Sequence, residues 1–219
     1  MEQRFADREE AGRRLADAVA EHEYADPVVL ALPRGGVPVA VPVAERLGAP
    51  LDLLMVRKIG TPGNPELASG AVVDGPAHQV VFNREILRHL NLAEADFEDA
   101  IAEQLKVIEE RRKRYLAGRA PLPVKGRDAV VVDDGIATGA TVKAALKGLQ
   151  AQDPASITLA VPVGPPDTVA ELRGMVDRVV CLETPAFFGA VGAFYDRFDQ
   201  VTDDEVARTM DCMTKGDET

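Results

Sequence analysis

The sequence predicts an α/β fold, a parallel sheet with helices packed on its faces. Two observations carry that expectation. Five short runs, residues 28–32, 51–56, 129–132, 157–163 and 179–182, are apolar at every or nearly every position, as strands buried on both faces must be. Between them lie stretches with apolar residues at helical spacing. Strand and helix therefore alternate, and such chains fold through right-handed crossovers into a parallel sheet. At 219 residues the chain suffices for one domain, residues 1–219, with a core expected over about 24–182.

Each element has its own signal. Phe5, Ala11, Leu15, Ala18 and Val19 share a face of a helix over residues 4–19. The run Val28–Leu32 stops at Pro33-Arg34-Gly35-Gly36, and a helix follows that ends on Gly48, a C-cap glycine. Pro42 is read as the first-turn residue of that helix, because proline removes a donor from a helix interior. The second run, Leu51–Val56, closes on Arg57-Lys58. Residues 60–78 are rich in Gly and Pro and read as a loop leading into a small hairpin, with Ala71-Val72-Val73 and Val80-Val81-Phe82.

Residues 84–117 form the longest helical segment. Phe97, Ile101, Leu105, Ile108 and Tyr115 lie on one side, and the charged run Glu109–Arg114 reads as a solvated face. The strand Ala129–Val132 runs into two acids and a Gly/Thr turn, then an Ala- and Leu-rich helix. Ile157–Val163 is a strand, Asp167–Met175 a helix and Val179–Leu182 the fifth strand. A Phe- and Gly-rich loop follows residue 184, and Thr202-Asp203-Asp204-Glu205 opens the last helix with capping-box spacing.

Composition excludes several classes. Asp and Glu number 36 against 25 Lys and Arg, a net charge of −11, which repels nucleic acid and anionic membranes. The excess sits at the ends: four cations against eight carboxylates in residues 1–27, three against eight in 196–219, and 18 against 20 between them. A near-neutral body of this kind can hold a small anionic ligand. No apolar run approaches the roughly 18 residues of a membrane span, and the charged, amphipathic N-terminus is unlike a signal peptide. Cys181 and Cys212 are far apart and in no CxxC, which points to a reduced, cytoplasmic compartment. His22, His78 and His89 are scattered, so a metal cage built from His and Cys is not expected. GxSxG, the Walker phosphate loop and GxGxxG are all absent.

The chemistry collects at three strand ends. The most informative stretch is VVVDDGIATGAT, residues 130–141. Its Gly/Thr turn opens a helix and offers N–H groups and hydroxyls to a phosphate. Asp133 and Asp134 would repel that phosphate, and as paired acceptors they suit the two hydroxyls of a ribose. Pro33-Arg34-Gly35-Gly36 is by itself an ordinary turn, but its glycines allow close backbone approach and Arg34 offers planar donors. Arg57-Lys58 reads alone as a solvated cationic strand end.

Residues 130–141 resemble in full the signature of the type I phosphoribosyltransferases. The resemblance implies a Rossmann-like parallel sheet with a small hood, and a glycosyltransferase (pentosyltransferase) that binds phosphoribosyl pyrophosphate (PRPP). Asp133 and Asp134 would bind the ribose 2′- and 3′-hydroxyls. Gly135, Ala137, Thr138, Gly139, Ala140 and Thr141 would wrap the 5′-phosphate. Arg34, Gly35 and Gly36 would form the pyrophosphate loop, with a non-proline cis peptide beside Arg34. Arg57 and Lys58 would supply a further cation, Lys58 acting with Arg34 and the two aspartates in catalysis. Residues 60–72 occupy the place of the family's mobile lid.

Mg²⁺ is the implied cofactor, bridging pyrophosphate and ribose oxygens, with Asp196 nearby. Hood candidates are the helical insert, about 84–117, and the C-terminal segment, about 183–219. Pro185–Asp196 is faintly similar to the base-binding region of hypoxanthine-guanine phosphoribosyltransferases, so Phe187 or Phe188 could stack on a nitrogenous base, a purine by preference. A homodimer, with residues 84–117 as a possible scaffold, is expected. The competing expectation is a regulatory protein that binds PRPP or a nucleotide without turnover.

Overall fold

The computed structural model describes residues 4–75 and 78–216. Its main sheet is parallel and five-stranded, in the order β2 (Leu51–Leu53), β1 (Pro27–Ala31), β6 (Asp128–Val132), β7 (Ser156–Val163), β8 (Arg178–Glu183). Alternating residues of these strands feed two apolar layers. Val29, Ala31, Val130 and Val132 face the helices α1 (Arg8–Ala20) and α2 (Gly36–Leu47). Val28, Leu30, Val131, Leu159 and Val161 face α5 (Ala140–Gln150) and α6 (Pro166–Arg173). Burial on both faces is why these strands read as unbroken apolar runs.

Pro42 lies inside α2, not in its first turn. The helix is nucleated six residues earlier than the proline suggests. α2 packs closely on α1 around this proline: a Cβ on Gly12 would stand 2.7 Å from the Val39 carbonyl and 3.1 Å from Cγ of Pro42. Gly48 ends α2 in the left-handed region, at φ 58°, and the capping box at Thr202 forms, with Glu205 Oε2 accepting the Thr202 N–H at 2.7 Å.

The stretch read as one strand over 51–56 is two pieces. β2 ends at Leu53, and β3 (Val56–Thr61) begins a separate antiparallel sheet with β4 (Asn64–Val73) and β5 (Gln79–Phe82). Most of the supposed loop is thus strand. Its hairpin turns at Pro62-Gly63, with Gly63 at φ 77°, and β4 is extended because it pairs on both sides. Residues 76 and 77 of the expected loop lie outside the described residues.

The helical segment 84–117 also divides. α3 (Arg84–Leu90) stops where Asn91 turns left-handed at φ 53°, and after a 3₁₀ turn α4 runs Glu98–Leu116. Its charged run is not uniformly solvated. Arg112 is buried, its Nη1 2.5 Å from Asp74 and its Nη2 3.2 Å from Asp52. Asp52 belongs to β2, Asp74 follows β4, and Asp52 also accepts the Leu122 N–H at 2.8 Å. One guanidinium thus joins the main sheet, the small sheet and α4. Burial outweighs Arg112 at Asp74 and raises its carboxyl above the usual range. The C-terminal helix α7 (Asp203–Gly216) packs on α4. No helix among the described residues is long and apolar enough to cross a membrane.

Candidate active site

The strand order reverses between β1 and β6, so the loops leaving these two strands open a crevice at their carboxyl ends. Ala31 pairs with Val132 at the last rung. From β1 the chain enters Pro33–Gly36, where the Pro33–Arg34 peptide bond is cis. From β6 it enters Asp133-Asp134.

The two loops touch. A Cβ on Gly35 would fall 2.1 Å from Oδ2 of Asp134, and one on Gly36 would fall 2.7 Å from the Val132 carbonyl. Only glycine lets the first loop settle against the acid pair.

The two acids differ in surroundings. Burial, reinforced by the neighbouring Asp134 carboxylate, pushes the Asp133 carboxyl well above its ordinary value. Its Oδ1 accepts the Asp134 N–H at 2.9 Å. Asp134 accepts a 2.8 Å bond from Nε of Arg8, and its carbonyl accepts the Tyr195 hydroxyl at 2.6 Å. Burial holds the Tyr195 phenol far above its usual range, so it remains a donor.

Beyond the acids, Gly135 passes under Val191, where a Cβ would come within 2.5 Å of a valine methyl. Gly139, at φ 72°, is the N-cap of α5 and offers no capping side chain. Apart from a long 3.5 Å bond from the Ala140 N–H to Oγ1 of Thr138, the first N–H groups of α5 are left for another acceptor. Ala137, Thr138, Ala140 and Thr141 are exposed around that turn.

The remaining sequence candidates separate. Arg57 and Lys58 do not close a strand of the main sheet. They lie within β3, opposite Val72 and Ala71, because the chain leaves the main sheet after Leu53. Arg57 turns to α4, donating to Oε1 of Gln104 at 3.1 Å, and burial together with Arg111 lowers its pKa. Lys58 lines a cleft that also contains Ala140 and Thr141. The pair is thus split between two sides of the strand.

Arg34 lies 3.3 Å from Oδ1 of Asp203. The same carboxylate accepts the Tyr115 hydroxyl and an Arg114 nitrogen, both at 2.6 Å. Tyr115 foremost, then Arg114 and Arg34, hold the Asp203 carboxyl below its usual value.

Phe188 stacks on Phe194, ring centroids 5.5 Å apart, whereas Phe187 is 88% exposed. Asp196 sits at the surface with Arg4 3.6 Å away. Three contributors are not marked as site residues by the sequence: Arg8, Tyr195 and Asp203 reach the crevice from both chain ends, and the capping-box stretch and Pro185–Asp196 segment that contain Asp203 and Tyr195 announce no such contact. Only the folded termini, joined where Phe5 bridges Tyr195, bring them there.

Comparison with known proteins agrees with this geometry. Residues 4–197 match the family model described as phosphoribosyl transferase domain. Two Mycobacterium tuberculosis proteins, each named “putative phosphoribosyl transferase”, are 48% identical over 207 residues, covering 94% of this chain and 46% of theirs. The chain thus spans about half the length of these relatives. The crystal structure of TT1426 from Thermus thermophilus superposes with a TM-score of 0.83 at 45% identity, over 95% of this chain and 98% of that one. By its crevice, its signature loop and these likenesses, the chain belongs to the type I phosphoribosyltransferase family.

Proposed function

We propose that this protein transfers the 5-phosphoribosyl group of PRPP to a nitrogenous base and releases pyrophosphate. The observation that carries the reading is the convergence of two loops, those leaving β1 and β6, at one switch point. The Asp133-Asp134 pair lies between the Pro33–Gly36 loop and the uncapped N-terminus of α5. Adjacent carboxylates flanked by two backbone cradles match a ribose that carries phosphates at opposite ends.

Displacement at C1′ develops positive charge on the ring and negative charge on the leaving pyrophosphate. Positioning and electrostatics therefore supply the rate. Asp133 and Asp134 fix the hydroxyls and stand near the ring's developing charge. Gly135–Thr141 hold the 5′-phosphate. Arg34, exchanging Asp203 for the leaving group, and Lys58 stabilise the pyrophosphate, with the glycine N–H groups of residues 35 and 36.

Among the described residues no group of three or more His, Cys, Asp or Glu could hold a metal alone. The adjacent carboxylates of Asp133 and Asp134 fit Mg²⁺ whose other ligands are substrate oxygens. Bound there, it would neutralise charge on the departing pyrophosphate. Asp196 is available at the rim once it leaves Arg4. Phe187, exposed on the loop after β8, is the residue for stacking on a purine; Phe188 is engaged by Phe194.

Pyrophosphate release with PRPP and Mg²⁺ should appear for at least one member of a panel of purines, pyrimidines and amines. PRPP binding without release across the panel would favour the regulatory alternative. The double substitution Asp133→Asn, Asp134→Asn should abolish PRPP binding in calorimetry, and unchanged affinity would refute the site.

A further inference from the structure

A second cleft, about 780 Å³, lies between the small sheet and α5, a size suited to a small-molecule ligand. Its charge is opposite to that of the chain. Lys58 enters from β3, Arg84 from the start of α3, and Lys143 and Lys147 from successive turns of α5, against one lining carboxylate, Glu85. On a protein of net charge −11, four cations from three elements around one cavity form a local positive field, which a low-dielectric wall concentrates.

One of them is already set. Lys143 Nζ is 2.6 Å from Glu171 Oε2, which holds the ammonium at the cleft and offsets its charge, so that Arg84 and Lys147 supply most of the attraction for an anion. Arg84 and Lys147 are exposed.

The rest of the lining has another character. Val56, Val81 and Phe82 give an apolar wall, with the small side chains of Ala68, Ala71 and Ala144 beside it. The cleft shares Ala140 and Thr141 with the candidate phosphate turn and Lys58 with the proposed pyrophosphate contacts, while Arg84, Lys143 and Lys147 lie beyond them on α3 and along α5.

We propose that this cleft is a binding site for a small aromatic anion, adjoining the ribose-phosphate crevice but held by cations outside it. The flat ring would lie on Val81 and Phe82, and its acidic group would meet Arg84, Lys143 and Lys147. A carboxylate and a phosphate ester satisfy these cations alike. Probes with one ring and different heads tell them apart: benzoate, phenyl phosphate and, as a neutral control, benzamide.

Binding is measured by calorimetry with PRPP and Mg²⁺ present, so that the crevice is occupied. At least one of the two anions should bind roughly tenfold tighter than benzamide. The charge reversals Arg84→Glu and Lys147→Glu together should cost about tenfold in that affinity and leave PRPP binding unchanged. The neutral pair Arg84→Gln, Lys147→Gln should show a smaller loss in the same direction.

Equal binding of benzamide, no binding of either anion, or an affinity indifferent to the reversals would overturn the proposal. So would displacement of the anion by PRPP, which would place it in the crevice. Failure of PRPP itself to bind would count against the proposed function and leave the anion measurement to be read separately.

Discussion

At the residue scale, Asp133 shows the conflict between stability and chemistry most directly. Its carboxyl is pushed up by burial and by Asp134, so ionising it costs free energy that the folded protein must supply. Asp133→Asn removes that cost while keeping the side chain's shape. The variant should therefore melt at a higher temperature than the parent at neutral pH and should bind PRPP poorly. Scanning calorimetry and PRPP titration check the two halves, and a variant that melts lower would show that the charge is accommodated without cost. Asp133, Asp134 and the glycines were legible in the sequence because they are local in it. Arg8 was not: its partner Asp134 lies 126 positions away, and nothing around an arginine in a helical first turn announces such a contact. Asp203 was legible only as part of a cap, since a capping aspartate and one that steadies Arg34 look identical in sequence.

At the element scale, the parallel strands and the hairpin that joins Ala71–Val73 to Val80–Phe82 were readable, and the rest of the insert was not. β1, β6 and β7 are buried on both faces, and that burial writes an apolar run into the chain. β4 has no such run: its glycine and its partly exposed positions erase the alternation, and only pairing with β3 and β5 defines it. The charged stretch of α4 misled for a related reason. Arg112 reads like its neighbours, but it is the buried link between β2, the end of β4 and α4. Replacing it with methionine leaves Asp52 and Asp74 buried without their cation. Loss of one partner of a buried ion cluster costs about 3–5 kcal/mol. Arg112→Met should lower the urea midpoint accordingly, and the small sheet should lose amide protection before the main sheet does. Replacing all three residues with apolar ones of similar volume should recover much of the loss, which separates charge burial from packing.

At the scale of the whole molecule, two sets of carboxyls act with opposite sign on stability as the pH changes. Raised carboxyls, Asp133 and Asp74, bind protons more tightly in the folded chain than in the unfolded one. Their contribution therefore falls as pH rises from the unfolded value, near 3.8, to the folded one. Lowered carboxyls behave the other way. Asp7, Asp128 and Asp203 are held down by hydrogen bonds to Glu10, Ser156 and Tyr115 respectively. Their stabilisation is complete above the unfolded value and is lost as pH falls through the folded one. Acidification should stabilise the protein while the raised carboxyls take up protons and destabilise it once the lowered ones do, so stability passes through a maximum between the two ranges. Asp133→Asn should flatten the limb between that maximum and neutrality. Asp203→Asn should flatten the acid limb and, by releasing α7 from Tyr115, Arg114 and Arg34, lower stability at neutral pH. Urea midpoints measured across pH for the parent and both variants test the assignment: if both variants changed the same limb, the two carboxyls would not be shifted in opposite directions.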